Sequence, residues 1–107
     1  MATGRLGALD CAATTAEAVY TVPASKVATV TVSLCNRNAT AVTVRLMHLD
    51  GAIGTLGNED YLEYNAIIPP NGVIERTGIV MAATHVIGVY CSVTGVTAQV
   101  YGFEETA

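Results

Sequence analysis

Lys26-Val-Ala-Thr-Val-Thr-Val-Ser-Leu-Cys-Asn36 alternates without a break: Ala28, Val30, Val32 and Leu34 share one parity, Thr29, Thr31, Ser33 and Cys35 the other. A period of two is that of a strand with one face in a core. Ala41 to Leu49 repeats the pattern, with Val42, Val44 and Leu46 opposed to Thr43, Arg45 and Met47. The polar, turn-forming Asn36-Arg37-Asn38-Ala39-Thr40 lies between the two runs. Together they predict a β-hairpin onto whose apolar face the remaining strands pack.

Toward the C-terminus, Tyr61 to Ile68 sets Leu62, Tyr64 and Ala66 against Tyr61, Glu63 and Ile67, and stops at Pro69-Pro70-Asn71-Gly72. Val73 to Met81 resumes the strand pattern, with Gly78 marking a bulge or a close backbone approach. His85 to Val93 turns Ile87, Val89, Cys91 and Val93 to one face, and Thr94-Gly95 reverses the chain. Val96 to Phe103 opposes Val96, Ala98 and Val100 to Gln99, Tyr101 and Phe103, ahead of an acidic tail of Glu104, Glu105 and Thr106. Toward the N-terminus, Ala18, Tyr20 and Val22 share a parity before Pro23, which cannot donate to a ladder. Residues 1–9, punctuated by Gly4 and Gly7, are either an extended arm or a first edge strand. Asp50 to Asp60 is the longest irregular stretch, an exposed loop suited to recognition. The chain thus reads as all-β, one domain over 1–107, an antiparallel β-sandwich of about eight strands, jelly-roll or immunoglobulin-like.

Charged residues make up only 13% against 51% apolar, where about a quarter charged is usual. So much neutral surface implies a binding partner. Net charge is −4, with Lys26 the only lysine and four dispersed arginines. Neutralising a phosphate backbone needs clustered cations, so nucleic acid is not expected as a partner. No apolar run approaches the roughly 18 residues of a membrane span, and the N-terminus lacks a basic region followed by an apolar one. The expectation is a protein without membrane contact, used without export. Cys11, Cys35 and Cys91 have no Cys-x-x-Cys spacing and read as buried free thiols rather than one disulfide with a thiol left over.

Chemistry is sparse. A hydrolase would draw its base from His48 or His85, neither in a nucleophile-bearing motif, and His48 reads as a strand-end or interface residue. Asp50, Asn58, Glu59 and Asp60 could offer oxygen ligands to calcium, but their spacing fits no EF-hand and a solvated loop is preferred. Glu59, Asp60, Glu63 and Glu75 supply carboxylates for glycoside cleavage without any signal that fixes a pair. Tyr61, Tyr64, Tyr90 and Tyr101 could line a sugar-binding surface, though buried or interface tyrosines are the commoner outcome. Asn38-Ala39-Thr40 matches a glycosylation sequon, which has no meaning without secretion. No catalytic residue, cofactor or metal ligand is assigned.

Several stretches resemble a family of small structural proteins of tailed bacteriophages, including cyanophages. These are Ala2-Thr-Gly-Arg-Leu-Gly-Ala8, Val19-Tyr-Thr-Val-Pro-Ala-Ser25, Cys35-Asn-Arg-Asn-Ala-Thr-Ala-Val-Thr-Val-Arg-Leu46, Asp60-Tyr-Leu-Glu-Tyr64 and Asn71-Gly-Val-Ile-Glu-Arg-Thr-Gly-Ile79. The resemblance spans Ala2 to Glu105, and the glycine-rich Gly51 to Asn58 departs from it. It implies a non-enzymatic virion component, assembled in the host bacterial cytoplasm. A capsid decoration or cement protein is favoured over a tail, neck or head-fibre adaptor; a host-glycan-binding module using residues 50–64 is a third, separate reading, and hydrolysis is the weakest. The implied partners are the major capsid protein or tail and neck proteins, with self-association, as a trimer by analogy. Arg5, Leu6, Arg37, Tyr61, Tyr64 and Arg76 are the expected interface residues within these stretches.

Overall fold

A computed structural model describes residues 3–106. Strands β1 (Thr3–Asp10), β2 (Glu17–Thr21), β3 (Lys26–Asn36), β4 (Val42–Leu49), β5 (Tyr61–Ile68), β6 (Val73–Met81), β7 (Val86–Cys91) and β8 (Val96–Thr106) form two sheets. Their orders are β1-β8-β3-β6 and β2-β7-β4-β5, four strands each. All pairings between these strands are antiparallel. The topology follows from folding the chain in half. β4 pairs with β5, β3 with β6, β2 with β7 and β1 with β8, so the molecule is one long hairpin with its tip at residues 50–60. Rolling that hairpin brings β3 against β8 and β4 against β7, which closes two packed sheets. This is a jelly roll, and the immunoglobulin-like alternative falls.

The expected hairpin of β3 and β4 does not form. Each presents the apolar face read from the sequence, but to opposite sheets: Ala28, Val30, Val32 and Leu34 meet Val42, Val44 and Leu46 across the core. Alternation fixes which side of a strand is buried and leaves open whether the next strand lies beside it or opposite it. The crossing is held by Asn36, fully buried, whose Nδ2 donates to the carbonyls of Thr40, Ile68 and Pro69 while its Oδ1 accepts from Asn38 N–H.

One alternative is settled and two further expectations change. Residues 3–10 are an edge strand on β8, not a free arm, and Leu6 and Leu9 pack on the core; residues 1–2 of the expected arm lie outside the described residues. Glu104 is not in a tail. It is buried within β8 and accepts a 2.5 Å hydrogen bond from Tyr20 Oη. Asp50 to Asp60 contains two 3-10 turns, Ile53–Thr55 and Asn58–Asp60. Ile53 and Leu56 fold over Met47 and Leu49 on the outer side of β4, so the loop caps a second small core. Gly78 does mark a bulge, since Val30 faces Ile79 while Val32 faces Arg76.

Candidate interaction surfaces

The expected interface residues are dispersed. Arg5 is exposed on the outer face of β1, opposite Tyr101, while Leu6 turns inward through the irregularity between Arg5 and Gly7. Arg37 sits at the β3–β4 crossing and pairs with Asp10 at 2.6 Å, both side chains being exposed. Arg76 lies on the edge strand β6, from which it reaches Glu63 of β5 at 2.7 Å and the Leu62 carbonyl at 3.3 Å. That bridge spans the open edge between the sheets, beside a small cleft of about 10 Å³ lined by Val32, Leu34, Leu46 and Ile74. Exposed pairs of this kind stabilise by about 1 kcal/mol or less.

Tyr61 and Tyr64 lie together on the outer face of β5, where parity alone would set them on opposite sides. Val44 faces Ala66 and Leu46 faces Glu63, so Tyr64 and Asn65 both lie opposite Arg45, and Asn65 takes a left-handed φ of 53°. The bulge turns Tyr64 outward, 59% exposed. Its ring meets Tyr61 edge to face at 4.8 Å between centroids. Arg45 stacks between Tyr64 and Tyr90, its guanidinium carbon 4.4 and 4.6 Å from the two ring centres, and its Nε donates to Asn65 Oδ1 at 2.8 Å. Cation–π contacts of this kind are worth about 0.5–1 kcal/mol at exposed sites. The tyrosines were legible in the sequence and Arg45 was not: its outward parity was visible, its neighbours on β5 and β7 were not. Tyr101 lies on the other sheet, donating to Glu75 Oε2 at 2.7 Å.

The outer face of β1-β8-β3-β6 has a different character. Cross-strand rows read Thr3, Phe103, Thr29 and Val80, then Ala8, Gln99, Ser33 and Glu75, then Asp10, Thr97, Cys35 and Val73. Val80 is 71% exposed, and Val73 and Phe103 are also open to solvent. Threonine, serine and glutamine fill most of the remaining positions along β3 and β8, so charge lies mainly at the margins.

Catalytic groupings are scarce among the described residues. No three or more His, Cys, Asp or Glu side chains are grouped to hold a metal ion there, the expected acidic loop included. Asp60 is instead engaged locally, its Oδ2 accepting from Gly57 N–H at 2.8 Å. His48 and His85 meet at the end of the sandwich that carries the 50–60 loop, with Nε2 of His48 2.9 Å from Nδ1 of His85. Burial and the neighbouring His85 push the His48 imidazole below its usual range, against the opposing fields of Asp60 and Asp50. All three cysteines are free thiols. The hydrogen bond with Cys91 and burial push the Cys11 thiol up, making it a poor nucleophile. Comparison with known protein families, curated sequences and solved structures yields no match.

Proposed function

We propose that this chain is a non-enzymatic structural protein of a phage virion, a decoration or cement subunit that binds the capsid shell. The observation that carries the reading is the outer face of β1-β8-β3-β6, where Val73, Val80 and Phe103 stand exposed among neutral threonine and serine side chains. Such a face loses little on leaving water, because few charges must be desolvated, and it gains apolar contact. The resemblance of the sequence to phage structural proteins supports the same class. A homo-oligomer, in this setting a trimer, would let several copies share one lattice site.

The test is co-sedimentation of the purified protein with empty capsids, and separately with tails, from particles assembled without it. Saturable binding to capsids that is lost in Val80→Asp and Phe103→Asp fits the decoration role. Binding to tails alone moves the protein to an adaptor or fibre role, and binding to neither sinks the virion reading.

A second reading is a host-glycan-binding module, favoured by the exposed Tyr64 ring beside Tyr61 and Arg45. A glycan screen tests it: a hit should vanish in Tyr64→Ala, and a blank screen removes the reading.

A further inference from the structure

The two histidines are distant in sequence but converge in space. His48 is at the end of β4, and His85 follows the Ala82–Thr84 turn that leads into β7. Their ring centroids are 5.0 Å apart and two ring nitrogens approach to 2.9 Å, so the nitrogens point nearly at one another. Both side chains are only half-buried, which leaves the junction open to water. Asp50 and Asp60 lie near enough to act electrostatically on His48, opposing burial and His85. A cation at this junction therefore meets two nitrogen donors with two acidic side chains close by.

We propose that His48 Nε2 and His85 Nδ1 form a two-histidine site for a divalent transition metal of the zinc, nickel and copper group. Imidazole suits these ions and not calcium or magnesium. Two metal–nitrogen bonds of about 2.0–2.1 Å in a tetrahedral arrangement hold the nitrogens about 3.3–3.4 Å apart. The pair at 2.9 Å needs to open by only about half an ångström, with each ring tilting so that the lone pairs converge on the ion.

The protons can be followed. Ala82 N–H donates to His85 Nδ1 at 3.4 Å, a long bond that assigns this nitrogen as an acceptor. The hydrogen between the rings then sits on His48 Nε2. Binding shifts the His48 proton to Nδ1, frees Nε2 for the metal and releases no net proton. It also costs the Ala82 contact, which water replaces because Ala82 is exposed. Water fills the remaining coordination positions, with Asp50 and Asp60 acting through their charge. The inference stands apart from the virion reading and needs no partner.

Calorimetric titration of the full chain with NiCl2, and with CaCl2 as control, tests it. Saturable nickel binding with a one-to-one ratio and no calcium binding is the expected result. Each of His48→Gln and His85→Gln should weaken nickel binding by about tenfold or more, with circular dichroism reporting that the variants fold. If a variant fails to fold, nitrogen-15 imidazole spectra of the unmodified chain decide. Paramagnetic nickel should broaden the His48 Nε2 and His85 Nδ1 signals before any other. Undetectable binding, binding unchanged in either folded variant, binding lost in Cys35→Ser, or broadening elsewhere first would each overturn the site.

Discussion

Asn36 shows how much of a fold can rest on one amide. Its Nδ2 shares two hydrogens among three carbonyls, those of Thr40, Ile68 and Pro69, and thereby ties the β3–β4 crossing to the end of β5. Asn36→Ala should lower stability by about 3 kcal/mol, since each buried group left unpaired costs about 1–3. Asn36→Asp should cost more, because a carboxylate presents lone pairs to those carbonyls. Urea unfolding midpoints check both; an alanine variant within 0.5 kcal/mol of the parent, about the size of an ordinary surface change, would deny Asn36 this role. Tyr20 and Glu104 give a pH signature instead. Burial and the hydrogen bond to Glu104 push the Tyr20 hydroxyl above its usual range. A raised folded value means that the folded state holds the proton longer than the unfolded one. The associated stability is therefore complete below pH about 10 and is lost as pH rises toward the folded value. Tyr20→Phe leaves the Glu104 carboxylate without its donor and should cost about 1–3 kcal/mol at pH 8. That gap should narrow between pH 10 and 12, as urea titrations at each pH will show, and a constant gap would mean that Tyr20 does not titrate in this way.

Strands were the legible elements, because alternation is a local property of the chain. The inward positions of β3, β7 and most of β8 follow it, Val30, Val89 and Val100 among them. Departures occur where the partner strand sets the geometry. Tyr64 faces outward because β5 carries an extra residue against β4, and Met47 is buried on the outward parity because Ile53 and Leu56 cover it. Neither effect can be read from the element's own residues. Glycine separates the two cases further. Gly78 has φ +70° and open space around it, so its need is conformational. Gly102 also has a positive φ, +154°, and a Cβ there would lie 2.1 Å from the Thr29 carbonyl oxygen, so the close approach of β8 to β3 adds to the conformational need. Gly102→Ala should cost about 1–3 kcal/mol by forcing the strands apart, and Gly78→Ala about 1 kcal/mol of backbone strain. Chemical denaturation of the two variants measures the order; equal costs would show that the sheet relaxes around Gly102.

At the scale of the molecule, two sheets were legible in the sequence and their strand order was not, because parity cannot say which strands are neighbours. The pairing that resolves it joins the first strand to the last, and this changes what the N-terminal residues do. An arm that only docks on a neighbour could be removed without harm to the sandwich. β1 instead covers one edge of β8 and brings Leu6 and Leu9 to the core. Its removal strips apolar cover and exposes a row of unpaired backbone groups along β8, a template for pairing with another chain. Deleting residues 1–10 should thus lower the urea midpoint and the temperature of unfolding, and produce concentration-dependent association visible by sedimentation velocity. Replacing Leu6 and Leu9 with alanine in the full chain should reproduce the loss of stability, at about 2–5 kcal/mol per fully buried leucine and less here, where burial is partial. It should not reproduce the association, because the backbone of β1 still covers the edge. A deletion variant that stays monomeric with an unchanged midpoint would return residues 3–10 to the role of a free arm.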